Sequence, residues 1–387
     1  MTNSFSGESL NVLLLAEDFY PKESGGAFID WNVATFLVEN GDSVTTVTPR
    51  NAEAPRKETV DGVEIRRPFQ GHQSDSHPNS IQGFLRRIVF SLVLVPYLLV
   101  ICWRQEFDLI YSTNHLLHPP AVIASFINGL FHVSFIGYSP SIREEEASLL
   151  NPLVALERVN FQMFLGDLAI CQTPSIEQIL SRDYNQNVER TDGTVDTEAI
   201  YEAVNSPRKH NIETNSNSHI ELIFVGRLVS IKNPAELPNI ISELPSEYRL
   251  TIVGDGPCKS DIEEAVEELN IKSRVTLMGK LPHKKTLRLI HSSNVLLLPS
   301  AADAYPTVVF EALCLDTPVL ATPVGALPSM DHPKLMLSEL DAFAATIPIV
   351  NHSASHSIDE NAMERFSVTQ LAKDVRVHML ELKSERE

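Results

Sequence analysis

The chain has 387 residues, 43% of them hydrophobic, and a formal net charge of −19 at neutral pH. This length is enough for two domains with a core each, and the charge argues against nucleic acid as a partner, because binding a polyphosphate needs clustered lysine and arginine. The excess of acids suits a protein that charge keeps soluble, and it weakly favours a saline host.

Neither the cysteines nor the N-terminus indicates secretion. The four cysteines form no CxxC pair, and we expect them to be small buried hydrophobes in a reducing compartment. The first ten residues lack the basic and then apolar segment of a secretory signal. The expected location is therefore the cytoplasm.

The chain begins with a predicted β–α–β unit. Apolar residues predict a buried strand at Leu10–Ala16 and another at Val44–Thr48, and helical periodicity predicts a helix at Ala27–Glu39. Gly25 and Gly26 fall where the first strand hands over to this helix, and glycines there let the backbone approach a phosphate or sugar closely. A purely structural turn explains the pair equally well.

The most apolar stretch is Ile88–Trp103, a run of 16 uncharged residues interrupted by Pro96. It is shorter than the roughly 20 residues that a membrane-spanning helix needs. One interpretation is a helix packed on the sheet. The other is a helix lying on the inner face of the cell membrane through residues Arg86–Trp103, with arginines at the headgroups. In the second case Leu94 and Leu98 are predicted to face the lipid.

Two further predicted strands of this half end in residues that would face a ligand. Residues 108–112 and 133–138 are apolar, and ligands of open α/β sheets bind at the carboxyl ends of the strands. His115 and His118 follow the first strand, and Tyr138 ends the second. These three residues are candidates for binding an acceptor. For each histidine the alternative is a structural role.

A polar segment rich in Asn and Ser, residues 205–219, predicts the linker between two domains. Strand–helix alternation resumes after it, so we expect a doubly wound domain on each side, with the strand ends of both facing a deep interdomain cleft. The predicted domains are 1–204 and 220–365. Residues 366–387 contain an amphipathic helix that is expected to pack back on the N-terminal domain.

Two cations follow the first predicted strand of the second half. The strand at 221–225 runs into GRLVSIK, which contains Gly226, Arg227 and Lys232. At a strand end, the fork of an arginine and the point charge of a lysine can clamp a diphosphate. The alternative is a surface arginine and lysine on a loop.

The block Val295–Gly325 is predicted to form a strand, a loop, a short helix and a strand, and it carries two acids. Asp303 lies in the loop, and Glu311 lies in the helix, with seven residues between them. The helix is predicted to begin near Pro306, and its N-terminus offers free N–H groups that suit a phosphate. The acids and the two cations are therefore expected to point into the same cleft.

Six motifs follow one another along the chain: YPKESGG, GRLVSIK, VGDGP, PSAADAYPTVVFEAL, TPVLATPVGALP and RFSVTQLAKDVRVHML. Their order resembles that of the retaining glycosyltransferases of family 4, which have the GT-B architecture. The resemblance covers nearly the whole chain, and the order and spacing of the motifs are more specific than any one of them.

The resemblance implies a role for each candidate residue. Arg227 and Lys232 would hold the donor diphosphate and stabilise the charge on the leaving group. Glu311 would bind the ribose hydroxyls, and Asp303 would contact the hydroxyls of the sugar. The other donor-binding positions that it implies are Gly25, Gly26, Gly226, Gly254, Pro306, Thr307 and Val308.

The resemblance also implies the substrates and the chemistry. The N-terminal domain would bind a lipid-linked glycan or polysaccharide acceptor, and the C-terminal domain would bind a UDP-sugar or a GDP-sugar. Transfer would retain configuration, with the leaving phosphate taking the proton of the acceptor. No metal or other cofactor is expected, because cations and helix dipoles serve instead and no DxD motif occurs.

Several positions depart from the family pattern. The changes favour an unusual donor sugar, and they leave open a non-catalytic GT-B partner subunit of a glycan-assembly complex that assembles through its apolar helix. A nucleotide-sugar epimerase on the same architecture is a less supported third alternative. The departures are Asp303 for Glu, Ala304 and Ala326 for Gly, Ser329 for Glu, Tyr138 for His, and an insertion at Asp192–Asp196.

Overall fold

The computed structural model describes residues 8–21, 24–50, 54–70, 81–137, 152–205, 219–350 and 357–385, without the side chains of 81–87 and 152–156. The chain divides into two compact units. The first unit comprises residues 1–193 and 368–387, and the second comprises residues 194–367. Each unit contains a largely parallel sheet with its own apolar core, so the predicted doubly wound α/β class is confirmed.

The first unit is built on a sheet of order β3-β4-β2-β1-β5-β6-β7-β8, in which only the β3–β4 pair is antiparallel among the described strands. Continuous apolar runs form the central strands because helices cover both faces of a parallel sheet. The strands are β1 (Asn11–Leu15), β2 (Ser43–Val47), β3 (Lys57–Val60), β4 (Val63–Arg66), β5 (Leu109–Ser112), β6 (Phe131–Ile136), β7 (Leu168–Cys171) and β8 (Val188–Arg190). The helices are α1 (Gly25–Glu39), α2 (Ile81–Arg104), α3 (His118–Asn128), α4 (Pro152–Met163) and α5 (Pro174–Gln178), which continues into a π-helical turn (Ile179–Asp183).

The second unit is built on a sheet of order β11-β10-β9-β12-β13-β14, in which each described pair is parallel. The strands are β9 (Ile220–Val225), β10 (Tyr248–Val253), β11 (Val275–Gly279), β12 (Val295–Leu298), β13 (Val319–Ala321) and β14 (Leu335–Leu337). The helices are α6 (Thr197–Asn205), α7 (Leu237–Glu243), α8 (Lys259–Glu268), α9 (His283–Ser292), α10 (Thr307–Cys314), α11 (Phe343–Thr346) and α12 (Glu360–Phe366). Short 3-10 turns lie at Ser230–Lys232, Pro234–Glu236, Leu327–Ser329, Leu340–Ala342 and Ile347–Ile349.

The C-terminal helix (Val368–Ser384) packs on the first unit. Its apolar face, which includes Leu371 and Val375, is buried in the same core as α1. Arg376 donates from Nε and Nη2 to the two carboxylate oxygens of Asp42, at 2.6 and 3.1 Å. Asp42 is buried and also accepts from the backbone N–H of Leu10 at 2.9 Å. This two-pronged ion pair anchors the helix beside the first strand of the sheet.

The division between the units falls at Gly193–Thr194, earlier than the linker predicted at 205–219. The physical reason is α6, whose residues Ala199, Ile200 and Ala203 are buried in the core of the second unit. The sequence 205–219 is polar, but the segment just before it already contributes apolar surface to the second unit. Residues 206–218 themselves lie outside the described ranges.

Helix α2 has one buried face and one exposed face. Leu94 and Leu98 are fully buried and pack in a cluster that contains Leu13 and Ile110 of the sheet. The prediction that these two leucines face lipid is therefore wrong, because α2 covers the sheet with that side. None of the helices in the described ranges combines the length and apolar character that a membrane span requires.

Candidate functional site

Both cations and one of the two acids predicted from the sequence lie at one edge of the second sheet. Strand β9 is central, and the chain leaves it toward β10 on one side and returns beside it as β12 on the other. The carboxyl ends of β9 and β12 therefore form the switch point, where ligands of open α/β sheets bind. Arg227 and Lys232 follow β9, and Asp303 follows β12.

Two hydrogen bonds join the loops that leave β9 and β12. The N–H of Ala301 donates to the carbonyl of Ile231 at 2.8 Å, and the side-chain amide of Asn233 donates to the carbonyl of Pro299 at 2.9 Å. Lys232 consequently reaches Asp303, and their side chains form an ion pair. The two side chains are 19% and 17% exposed, so the pair lies partly buried at the edge of the sheet. Lys232, which is predicted to bind the phosphate, and Asp303, which is predicted to bind the sugar, are thus direct neighbours.

Glycines allow the strand ends to approach each other closely at this edge. Gly254, which follows β10, has a φ of +146°, and a Cβ atom there would lie 1.8 Å from the carbonyl oxygen of Gly226. The N–H of Gly254 donates to the carbonyl of Gly279 at 2.9 Å. No side chain fits between these backbones, which explains the first glycine of the VGDGP motif.

Glu311 lies on α10 and is paired with a histidine that the sequence analysis did not single out. Its side chain is 11% exposed, and its Oε1 lies 2.7 Å from Nε2 of His283, the first residue of α9. This hydrogen bond raises the pKa of His283 above its usual value, and the charge of Asp196 adds to the effect against the opposing influence of burial. The only sequence signal for His283 is its position shortly after β11, at the carboxyl edge of the sheet.

The start of α10 provides the backbone donors predicted for a phosphate. The helix begins at Thr307, one residue later than predicted, and Pro306 at its N-cap position offers no side-chain cap. The first N–H groups of a helix, here those of Thr307 and Val308, have no acceptor within the helix. The Thr307 hydroxyl lies 3.2 Å from that of Thr194. The backbone N–H groups of Thr307 and Val308 thus lie at the start of the helix, where the sequence predicts donors for a phosphate.

In the first unit, the predicted glycine pair forms the first turn of a helix. Gly25 and Gly26 are the first two residues of α1, and the Ser24 hydroxyl caps it by accepting from the N–H of Ala27 at 3.2 Å. A Cβ atom at either glycine would meet no heavy atom within 4 Å. The space beside both glycines is therefore open, as close approach of a ligand requires.

A buried acid near these glycines was also missed by the sequence analysis. Asp30 of α1 is buried, and its Oδ2 accepts from the hydroxyl of Thr113 at 2.7 Å. Burial raises the pKa of Asp30 to about 8, with Asp18 contributing and the Thr113 hydrogen bond opposing. Thr113 follows β5, and Asp18 follows β1. A largely neutral carboxyl group at pH 7 therefore lies beside the switch point of the first sheet.

The three predicted acceptor ligands differ in accessibility. His118 is fully buried, and its Nδ1 lies 2.7 Å from the hydroxyl of Ser112, which is also 2.7 Å from Nε2 of His132. Burial lowers the pKa of His118 well below its usual value and that of His132 to about 3. This position favours the structural alternative for His118. The side chain of His115 is 22% exposed and lies 3.7 Å from Glu157. Tyr138 lies outside the described residues.

Comparison with known proteins supports the interpretation of the fold. The family model described as glycosyl transferases group 1 matches residues 205–331, a segment that contains Arg227, Lys232, His283, Asp303 and Glu311. The GPI3 subunit of phosphatidylinositol N-acetylglucosaminyltransferase from Saccharomyces cerevisiae is 23% identical over 371 residues, which cover 91% of this chain and 77% of that protein.

Solved structures show the same architecture. Sucrose-phosphate synthase from Thermosynechococcus elongatus superposes with a TM-score of 0.72 at 18% identity, covering 97% of this chain and 100% of that chain. HepE from Anabaena, in complex with UDP, superposes with a TM-score of 0.67 at 16% identity, covering 96% and 100%. The fold of this chain is therefore GT-B, with two Rossmann-like domains, as the sequence predicted.

Proposed function

We propose that this chain is a retaining glycosyltransferase that moves a sugar from a nucleoside diphosphate to a lipid-linked glycan or polysaccharide acceptor. The observation that carries the proposal is the ion pair of Lys232 with Asp303 at the switch point of the second sheet. Arg227 lies in the same loop as Lys232, and Glu311 lies on α10, the helix that follows Asp303. The match of residues 205–331 to the glycosyl transferases group 1 model supports it.

The chemistry of these side chains suits a nucleotide-sugar donor. Arg227 is exposed just after β9 and would hold the diphosphate with its fork, and Lys232 would add a point charge. Lys232 is paired with Asp303, so the donor phosphate would share the lysine with this acid. Asp303 would then contact hydroxyls of the sugar, and Glu311 those of the ribose. The backbone of Gly226 and Gly254 would border the donor.

In the proposed reaction, the bond between the anomeric carbon and the β-phosphate oxygen breaks while the acceptor oxygen bonds to the same face of the sugar. The leaving phosphate takes the proton of the acceptor hydroxyl, so no protein base is required. Arg227 and Lys232 stabilise the charge that develops on the leaving diphosphate. We propose that these cations and the start of α10 serve in place of a metal, so that the transfer needs no cofactor.

The names of related proteins support a nucleoside diphosphate donor and a lipid-linked acceptor. They do not distinguish a uracil from a guanine nucleotide. HepE was solved in complex with UDP, which is a nucleoside diphosphate, and the GPI3 relative is named for transfer to a phosphatidylinositol. A UDP-sugar and a GDP-sugar both fit the clamp. The lipid nature of the named acceptor agrees with the lipid-linked glycan proposed here.

The proposal is tested by incubating the purified protein with UDP-sugars and GDP-sugars and a lipid and polysaccharide acceptor panel, and by following release of the nucleoside diphosphate. Acceptor-dependent release from one donor, with the configuration of the sugar kept in the product, is the expected result. Absence of release from every donor, together with intact cellular function of an Arg227→Ala variant, would favour the non-catalytic partner subunit.

We further propose that the protein is cytoplasmic and lies peripherally on the inner face of the cell membrane through α2 and α3. The outer face of α2 exposes Leu92 (67%) and Trp103 (82%), and the neighbouring α3 exposes Phe126 (87%). Helix α2 carries three arginines and no acid, and α3 carries no Asp, Glu, Lys or Arg, although the whole chain has a net charge of −19. An apolar face with basic flanks in an otherwise acidic protein suits an anionic bilayer.

A membrane role of this face predicts the outcome of a flotation experiment. Wild-type protein should float with liposomes that contain anionic lipid, and the variant Leu92→Gln/Trp103→Gln/Phe126→Gln should remain at the bottom, because it loses the apolar area that lipid would bury. Ile349→Gln is the matched control, since Ile349 is 73% exposed in the second unit. Flotation of the triple variant equal to wild type, or no flotation of either, would contradict this membrane contact.

A further inference from the structure

We propose that His283 is a positioning residue for the Glu311 carboxylate, holding it correctly oriented for the ribose hydroxyls of a bound nucleotide. The inference rests on the proposed function, in which Glu311 binds the ribose. His283 takes part in no catalytic step, because it acts through Glu311.

The geometry of the pair supports this role. Nε2 of His283 lies 2.7 Å from Oε1 of Glu311, which is within the range of a charge-assisted hydrogen bond. Glu311 is held in α10 between buried residues, whereas the side chain of His283 is 48% exposed. The histidine therefore approaches the acid from the solvent side, where a ligand would also lie. Each carboxylate oxygen has more than one acceptor site, so Oε1 can receive a ribose hydroxyl while His283 remains bound.

The position of His283 in the fold explains why it can fix the orientation of Glu311. His283 begins α9, directly after the loop that leaves β11, and its backbone position is held by the packing of α9 against α6 and α10. On α9, Leu287 and Ile290 are buried in the same core as Phe310 of α10. The two helices therefore form a rigid frame across which the hydrogen bond runs, and rotation of the carboxylate would break it.

Other charged groups around His283 also affect its protonation. Asp196, which precedes α6, acts in the same direction as Glu311 on the pKa of His283 and raises it. The charge of Lys284, the residue after His283, is neutralised by an ion pair with Glu202 of α6. The surroundings of His283 are thus net acidic, which favours the imidazolium form. In that form the histidine donates most strongly to Glu311.

The sign of the expected pH dependence follows from this shift. The pKa of His283 is raised in the folded protein, so the charge-assisted part of the pair is fully present below the ordinary histidine value and is lost as the pH rises through the raised value. A neutral imidazole still donates a weaker hydrogen bond. As the pH rises, the carboxylate of Glu311 should therefore be held less firmly, and the affinity for the ribose should fall.

The test compares dissociation constants of UDP and GDP, of their 2′,3′-dideoxy analogues and of inorganic pyrophosphate for wild type, His283→Ala and His283→Gln. For the ribonucleotide that binds, His283→Ala should raise the dissociation constant about tenfold at about pH 6. His283→Gln, which keeps a neutral donor, should raise it about threefold at about pH 6 and leave it unchanged at about pH 9. The dideoxy analogue and pyrophosphate should bind all three proteins equally.

His291→Gln is the matched control, because it replaces another histidine of α9 whose Nδ1 bonds the carbonyl of Leu315 and not Glu311. This variant should bind ribonucleotides as wild type does. Equal losses for the ribonucleotide and its dideoxy analogue in His283→Ala would show a merely structural role and overturn the inference alone. Wild type that binds no nucleoside diphosphate would overturn both the inference and the proposed function.

Discussion

Replacing Arg227 and Lys232 together by alanine is expected to lower the rate of nucleoside diphosphate release from the donor by a factor of about a thousand or more. The two cations follow β9 at the switch point of the second sheet. In the proposed reaction they face the charge that develops on the leaving diphosphate, and donors of this kind typically contribute about two to three orders of magnitude each. The measurement is the initial rate at saturating acceptor, for wild type and the variant.

The control for this experiment removes the same two residue types elsewhere in the second unit. Arg249 and Lys272 are both exposed, Arg249 on β10 and Lys272 in the turn before β11. Arg249→Ala/Lys272→Ala should retain the wild-type rate, because neither cation lies at the strand ends that form the site. A loss of less than about tenfold in Arg227→Ala/Lys232→Ala would contradict a direct role of these cations in transfer.

Gly254→Ala should lower the free energy of unfolding by about 3 kcal/mol or more. The added methyl group would lie 1.8 Å from the carbonyl oxygen of Gly226, and both partners are backbone, so neither can turn away as a side chain would. The φ of +146° adds strain for any residue with a Cβ atom. Equilibrium denaturation in guanidinium chloride measures the change.

Gly279→Ala separates the clash from the backbone strain. Gly279 lies at the same edge of the second sheet with a φ of +65°, but a Cβ atom there would meet no heavy atom within 4 Å. This variant should lose only about 1 to 2 kcal/mol, the usual cost of the left-handed conformation. Equal losses in the two variants would show that the strand ends tolerate a side chain at Gly254, contrary to the packing described here.

Much of the fold could be predicted because its signals are local. Buried parallel strands leave continuous apolar runs, as at Leu10–Ala16 and Val295–Leu298, and the residues that follow such strands must lie at the carboxyl edge of the sheet. Arg227, Lys232 and Asp303 could therefore be placed together from the order of the residues alone. The ion pair between Lys232 and Asp303 bears out that placement for these two side chains.

The local sequence pattern predicts structure poorly where tertiary packing overrides it. The direction in which Leu94 and Leu98 point depends on the rotation of α2 about its axis, and in a helix that is apolar on all sides the periodicity does not reveal it. The polar run at 205–219 suggested a domain boundary, but the boundary follows the apolar contacts of α6. A drop in hydrophobicity marks a linker poorly when the preceding helix is itself part of the next core.

The sequence analysis missed two titratable residues, and it missed both for the same reason. His283 and Asp30 are single residues in helices, without a motif around them, and their environments are created by partners distant in sequence. Glu311 lies 28 positions from His283, and Thr113 lies 83 positions from Asp30. Only the pairing of α9 with α10, and of α1 with the end of β5, shows that these side chains lie at the strand-end edges of the two units.

The most direct test of the central claim is whether the wild-type protein binds a nucleoside diphosphate. Thermal unfolding should be followed at high salt with and without UDP, GDP and their sugar conjugates. Because a ligand that binds only the folded state raises the unfolding midpoint by mass action, we predict a concentration-dependent rise with the nucleotides of one base. The rise should be absent from Arg227→Ala/Lys232→Ala. An unchanged midpoint with every nucleotide at millimolar concentration would contradict the account of this chain as a nucleotide-sugar-dependent glycosyltransferase.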